Sequence, residues 1–492
     1  MRKNILKYTI ACLSIGLTMA SCSRDFVETE FFQSVEQRPL VSIEELESSV
    51  RGQYNAMRSA SYYGCDFTMI SEVRSDNMFS NNASGYYNTV SNYSMLSSDA
   101  YASGPYTQMY RVVALANLVI NNQSPTPLTW KVSTDPTAIK NKENYLKGQS
   151  YAARALAFFD ALRLYGQEYS GGTTGIVIPT KYEPTKLQAR ATVDEVRTQI
   201  ENDFTTALSL MLPSLDSYTD KTVLNTVSVK VLMSRYYLYK KDYAKVRQLV
   251  NEVITASSGR YSVIGRGDYA NSFRNSSAQN SIFELAIGTL GDLGTTSTSY
   301  KLLNAPLGYG NMKVLSALRS SYSTNDIRLA GITSGLVLNG KYANTFDNIK
   351  VVRFEEVLLN GAEAELMPGG DPAKALLYYK AILSNRLTDT YNQDGTINKT
   401  LQQQLDEITS VTLAAVAVTL ADVYQEKKKE FVGEGHGMFD LLRRGQGITQ
   451  RDTSGAAVRV RNVGDNLLAF PIPRAEINVP GSLVVQNPSY SN

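Results

Sequence analysis

The chain has 492 residues, 43% apolar and 19% charged, a composition that supports a sizeable core and argues against wholesale disorder. Lys and Arg total 49 against 46 Asp and Glu, and Arg2, Lys3 and Lys7 fall within the first 21 residues, so the remainder balances at 46 against 46. A neutral chain without a basic tract argues against nucleic acid as a partner, and one His with three Cys argues against a multi-ligand zinc, haem or iron–sulfur site. The length fits roughly three domains or one elongated repeat architecture. Tyr supplies 31 aromatics and Trp only one, Trp130, so an aromatic binding surface here would be mainly phenolic.

Residues 1–21 place a basic start before an apolar stretch from Ile5 to Met19, with small Ala20 and Ser21 after it. That order is expected of a bacterial export signal, and the stretch is too short and polar for a membrane span of about 20 residues. Met19-Ala20-Ser21-Cys22 resembles a lipoprotein box, which implies cleavage before Cys22 and acylation of its thiol and new amine. Several acyl chains together hold a protein stably at a bilayer. Residues 22–40 then read as a polar, lipidated tether. Only Cys65 would remain besides Cys22, so no disulfide framework is available and packing must supply stability.

Ser42 and Glu45 suggest a capping box, followed by Leu46, Val50, Tyr54 and Met57 on one helical face. Residues 71–107 are rich in Ser, Asn, Gly and Tyr and predict loops. Helices are expected from Met109 to Asn121 and from Glu143 to Tyr165, the second stopping at Gly166. Thr192 and Glu195 form a second capping box ahead of Val193, Val196, Ile200, Phe204, Ala207 and Met211, and Pro213 closes that helix. Val229, Met233 and Tyr237, then Val246, Val250 and Val253, form a helix pair turning at Lys240-Lys241-Asp242, near tetratricopeptide spacing. A second pair is expected over Val351–Leu366 and Ala373–Leu383, separated by Pro368-Gly369-Gly370-Asp371-Pro372. Residues 257–350 read as a loop-rich insertion with short strands such as Ser281 to Ile287. The fold class is therefore mostly α, built on degenerate helix pairs. One domain is expected over 41–492, with repeats at about 41–256 and 351–445 and a C-terminal segment at about 446–492.

Six segments in order resemble the SusD/RagB family of outer-membrane lipoproteins. Ala153-Arg154-Ala155 through Leu164-Tyr165-Gly166 is similar to the family's "RA-x-x-Y…YG" helix, and Thr192 through Pro213 to its next one. Arg353-Phe354-Glu355-Glu356-Val357-Leu358-Leu359 with Ala362-Glu363-Ala364 matches "R-x-x-E-x-L-L-x-x-AEA". Glu426–Glu430, Glu434-Gly435-His436 and Phe439-Asp440-Leu441 with Arg443 resemble "ER-x-E-L…EG-x-R-x-FDL-x-R". Pro471-Ile472-Pro473, Glu476-Ile477 and Gln486-Asn487-Pro488 complete the set. The sequence departs from the pattern at Lys427 and Lys428 and at His436, where arginines are usual, and Tyr106 precedes Tyr110 and Ala116-Asn117 where a Trp is common. The resemblance implies a SusD-like helical fold with no cofactor, at the outer membrane and facing the cell exterior. It implies a lipoprotein that binds a glycan, or an oligopeptide in some branches, and delivers it unchanged to a SusC-like TonB-dependent transporter.

A sugar presents an apolar face and a hydroxyl rim, so its binder needs flat rings beside amide, carboxylate or guanidinium groups. The loop from Arg74 to Tyr101 supplies them, and Arg74, Asp76, Asn81, Asn82, Tyr86, Tyr87 and Asn88 are candidate ligand contacts, with Tyr300 and Tyr309 as secondary ones. Tyr hydroxyls would serve a peptide backbone equally. A lipid-anchored glycoside hydrolase is the competing enzyme reading, and Glu363 and Glu365 are its tempting pair. Two positions apart on a helix, they lie about 200° around it and cannot face one substrate, so Glu363 is expected to partner an Arg. A purely structural assembly lipoprotein is a third reading. His436, between two glycines, is expected to be a structural hydrogen-bonder, Lys427–Lys429 a solvated face with Glu426 and Glu430, and Cys65 a small buried hydrophobe.

Overall fold

The computed structural model describes residues 38–288, 298–410 and 418–491. The expected export signal, Cys22 and all of the tether before Arg38 lie outside the described residues. Ser42 caps the Ile43–Met57 helix by accepting from the Glu45 amide at 3.2 Å, while the Glu45 carboxylate reaches back to the Val41 amide at 2.7 Å. The buried face of this helix, Ile43, Leu46, Val50, Tyr54 and Met57, packs on the helices Ala100–Ile120 and Pro136–Tyr165.

Both of those helices begin earlier than their apolar spacing predicts. Asp99 accepts from the Tyr101 amide at 2.9 Å, and buried Ala102, Tyr106, Met109 and Val113 carry the first helix through Pro105. The loop expected over 71–107 therefore gives way to helix at its end, and also contains the strand Met78–Ser80. Asp135 caps the second helix through the Thr137 and Ala138 amides, and Pro136 occupies a first-turn position that needs no donor. The second half of this long helix is buried almost all round and forms the centre of the core.

The Thr192–Glu195 capping box is complete in both directions at the head of Val193–Leu210. Thr226–Lys240 and Tyr243–Ala256 form the first expected helix pair, with Lys241 turning the chain at φ 61°. Phe354–Glu365 and Pro372–Leu383 form the second, and Phe354–Glu365 packs directly on Tyr243–Ala256. A Cβ on Gly361 would meet Val250 at 2.9 Å and Tyr378 at 3.0 Å, so the missing side chain lets the two pairs close. One correction falls here. Residues Ile349–Arg353 are a strand paired antiparallel with Ser281–Leu285, and the helix begins only at Phe354. The strands of the described residues form four two-stranded antiparallel ribbons, so the fold is mostly α.

A second correction concerns the charged face at Lys427–Lys429. In the Leu420–Phe431 helix, Glu426, Lys427 and Glu430 are buried. They lie between Phe354–Glu365 on one side and the 326–353 segment on the other, and each finds a partner there. Glu430 binds three guanidinium groups: Arg328 at 2.9 Å, Arg353 at 2.9 Å and Arg386 at 3.0 Å. Burial alone would raise its pKa, but those arginines hold its carboxyl well below the usual carboxylate range. Arg328 also grips Asp326 and Glu426, Arg353 grips Glu434, and Arg386 grips Glu355. Lys428 is tied to Asp76 at 3.3 Å.

Candidate ligand-binding site

The strand Met78–Ser80 pairs antiparallel with Met312–Val314 in the register Met78↔Val314 and Ser80↔Met312. The Asn81 amide extends that ladder to the Asn311 carbonyl at 2.9 Å. The segment after the first strand and the segment before the second are thereby forced to run side by side. One carries Asn81, Asn82 and Tyr86; the other carries Tyr300, Lys301, Leu307 and Tyr309.

Their rings meet. Tyr86 and Tyr309 stack with centroids 5.9 Å apart and planes at 27°. Tyr309 is 45% exposed and neighbouring Leu307 is 76% exposed, so the stack presents an apolar, aromatic surface to solvent. Hydrogen bonds and a ring contact support it. The Ser80 hydroxyl donates to the Tyr86 carbonyl at 2.8 Å. The Tyr309 amide donates to the Lys301 carbonyl at 2.6 Å, and the Lys301 ammonium sits 4.7 Å from the Tyr309 ring centre. A Cβ on Gly308 would lie 2.5 Å from that same Lys301 carbonyl, so this turn needs glycine. The Asn339 side chain clamps both the amide and the carbonyl of Ala305.

The remaining candidates separate by direction. Tyr87 is a correction: it adopts φ 59° and its ring lies in the core, while Tyr86 packs against the edge of the core and stays partly exposed. It is fully buried, stacks on Tyr101 at 4.6 Å and donates its hydroxyl to Asp66 at 2.7 Å. Burial pushes the Asp66 carboxyl up to about 6, partly offset by that hydrogen bond. Arg74 is also corrected. At 1% exposure its guanidinium lies 4.0 Å over Tyr93 and 4.5 Å over Phe470, and it donates to the Val90 carbonyl. Neither side chain can reach a surface ligand. Asp76 turns away to Lys428, and Asn88 accepts from the Asn92 amide within its own turn of helix. Asn81 and Asn82 stay at the foot of the platform, where Asn81 accepts from the Ala83 amide. Tyr300 lies half-buried in the Ser299–Leu303 helix that carries Lys301.

Sequence reasoning missed Lys301 and Leu307. The Tyr-Lys step at 300–301 and the Leu-Gly-Tyr-Gly run at 307–310 carried the signal, but only the strand register brings this segment, through Tyr309, against Tyr86.

The acidic pair of the enzyme reading is split as helix geometry requires. Glu363 binds Lys427 at 2.7 Å and, through both oxygens, Arg443, whereas Glu365 accepts from the Asp371 amide at 2.8 Å. His436 is partly buried with its ring stacked on Phe431 at 4.7 Å, a packing role where a hydrogen bond was expected, and desolvation lowers its pKa to about 4. Cys65 is fully buried, and burial pushes its thiol up.

Among the described residues no helix is long and apolar enough to cross a membrane. A family model described as "Starch-binding associating with outer membrane" matches residues 33–238, and the "SusD family" model matches residues 337–490. The crystal structure of a SusD superfamily protein from Bacteroides thetaiotaomicron VPI-5482 superposes with a TM-score of 0.75 at 25% identity, covering 91% of this chain and 100% of that one. Surface glycan-binding protein A from Bacteroides fluxus shares the fold with a TM-score of 0.67 at 19% identity, over 91% of this chain and 99% of that one. "SusD-like protein P2" from Formosa agariphila is 25% identical over 162 residues, which are 32% of this chain and 30% of that relative's length. Two family models in their expected order and a matching fold over nine-tenths of the chain agree: the chain belongs to the SusD/RagB family.

Proposed function

We propose that this chain is a cell-surface lipoprotein that captures an oligosaccharide or polysaccharide on the Tyr86/Tyr309 platform and passes it, chemically unchanged, to a SusC-like TonB-dependent transporter. The observation that carries the reading is the outward stack of two tyrosines from segments more than 200 residues apart, held on a two-stranded ribbon. A sugar ring lays its apolar face on such a surface, while Asn81, Asn82 and the two phenols lie within the same loops to meet hydroxyls. Family membership and the relative from Bacteroides fluxus, itself a surface glycan-binding protein, support the ligand class. The lipoprotein box supports anchoring through Cys22, with residues 1–21 as the removed signal and 41–492 as one SusD-like domain.

The test is a binding screen of oligosaccharide and peptide pools with the native chain and with the double variant Tyr86→Ala/Tyr309→Ala. Glycan retention that the double variant abolishes without loss of folding supports the reading. Retention of peptides instead transfers the platform to an oligopeptide, and bond cleavage by the native chain would overturn the binding reading in favour of an enzyme.

A further inference from the structure

A second concave surface lies apart from the platform and shares none of its residues. It is a groove of about 400 Å³ between the Ala100–Ile120 helix, the extended 177–188 segment and the C-terminal segment around 476–484. Its floor is the pair Tyr106 and Tyr110, with ring centres 4.4 Å apart and planes tilted by 34°, and its rim carries half-exposed Tyr182, Leu187 and Leu483. Two carboxylates line it, Glu183 and Glu476, and Glu476 is the one beside the tyrosine floor.

Glu476 is unusual for the company it lacks. Among the described residues its carboxylate has no hydrogen bond and no ion pair, and burial raises its pKa with no cation to offset the effect. The groove's two lysines do not serve it. Lys186 pairs with Glu183 at 2.8 Å, and Lys181 acts on Glu183 as well. Arg190, beside Tyr110, spends its guanidinium on the carbonyls of Tyr165, Gly175 and Val485. Elsewhere buried carboxylates have partners: Asp203, Glu356 and Glu363 pair with arginine, and Asp66, Glu72 and Glu365 accept hydrogen bonds. An aromatic-floored groove with one unpaired negative charge is complementary to a cation on an apolar stem, because the rings attract the positive charge through their faces and the stem covers the walls.

We propose that this groove binds a basic side chain, an alkylammonium or guanidinium on an aliphatic stem such as lysine or arginine presents in a peptide. The charged end meets Glu476 and the stem lies along Tyr106, Tyr110 and Leu187. This site is independent of the ligand assigned to the Tyr86/Tyr309 platform.

Saturation-transfer NMR on the full chain in detergent tests it with three probes: Nα-acetyl-lysine methylamide, Nα-acetyl-norleucine methylamide and a neutral disaccharide. The lysine probe is expected to bind about tenfold more tightly than its uncharged norleucine analogue, as a charge-assisted contact predicts. Glu476→Gln, a partly exposed position whose change leaves the fold intact, is expected to erase that preference. Tyr86→Ala/Tyr309→Ala is expected to leave it unchanged. Equal affinity for the two amides, a lysine preference that survives Glu476→Gln, saturation of the disaccharide alone, or no saturation of any probe would each overturn the proposal.

Discussion

The helices before residue 256 and the segments after residue 326 both bury whole faces, but they bury different chemistry. In the first region the interior is mainly Ile, Leu, Val, Phe and Tyr, as around Phe158, Phe204 and Tyr236, with the separate ion pairs Arg154–Asp203 and Arg163–Asp160 set within it. In the second, five carboxylates meet three arginines and Lys341 with almost no solvent between them. Apolar faces tolerate partial repacking, whereas a buried charge stripped of its partner has no nearby substitute. The second region should therefore be the more brittle. Glu430→Gln leaves Arg328, Arg353 and Arg386 short of negative charge and is expected to cost about 3–5 kcal/mol. Denaturant unfolding of that variant beside Leu208→Ala, a partly buried apolar position of the first region, measures the contrast. Equal losses would show that the two regions are equally tolerant, and a smaller loss for Glu430→Gln would reverse the contrast.

The same contrast explains what was legible in the sequence. The first region announces itself through apolar residues three and four apart, and its helices appear where that spacing runs. Their starts were less visible, because Asp135-Pro136 and Asp99 act through capping while the apolar stripe begins later. In the second region the stripe is present but written in charge. Val423, Glu426, Lys427, Glu430 and Phe431 sit at core spacing on one helical face, with apolar residues at both ends. Charge at those positions ordinarily signals solvent, and only the arginines arriving from distant segments make it interior.

Adjacent Tyr86 and Tyr87 repeat the comparison on the scale of one peptide bond. Nothing in their residue type tells which faces out, since the answer lies in the left-handed backbone at Tyr87, where glycine would be the usual occupant. Tyr87→Ala is expected to cost about 3–5 kcal/mol, as truncating a packed aromatic does, and to leave Asp66 without its phenol donor. Tyr86→Ala is expected to leave the melting temperature nearly unchanged while weakening ligand by about 1 kcal/mol. Thermal melts and titrations on both variants check the assignment, and a stability loss that is larger for Tyr86 would reverse it.

Two titratable groups near the junction of the regions, partly buried His436 and fully buried Glu72, pull in opposite directions. His436 is lowered to about 4 by burial, so the unfolded chain takes up its proton first and stability is lost as pH falls from about 6.5 to 4. Glu72 is raised to about 7 by burial despite accepting from Asn77 and the Gly435 amide, so stability present below about 4.5 is lost as pH rises to 7. Each amounts to about 3 kcal/mol, and between pH 4.5 and 6.5 they cancel. His436→Phe, which keeps the stack on Phe431, should yield a protein that becomes more stable on mild acidification. Glu72→Gln should become less stable over the same range. Melting curves at pH 5 and 7 distinguish them, and parallel profiles in both variants would mean that neither group titrates in the fold.

The smallest expected effect sits at the edge of the apolar region, where helix ends are set by single side chains. Thr192 both receives the Glu195 amide and is answered by the Glu195 carboxylate, whereas Ser42 receives its amide but Glu45 answers Val41 instead. Thr192→Ala therefore removes two contacts, the hydroxyl's acceptance from the Glu195 amide and its 2.9 Å donation to the Glu195 carboxylate, and keeps only that carboxylate's bond to the backbone amide of residue 192. Ser42→Ala leaves the Glu45–Val41 bond in place. Thr192→Ala should cost about 1 kcal/mol and Ser42→Ala less than that, with both visible as shifts in denaturant midpoint at constant slope. Equal losses would mean that accepting the amide is all the hydroxyl does at either helix start and that the Thr192 hydroxyl's donation to Glu195 adds nothing.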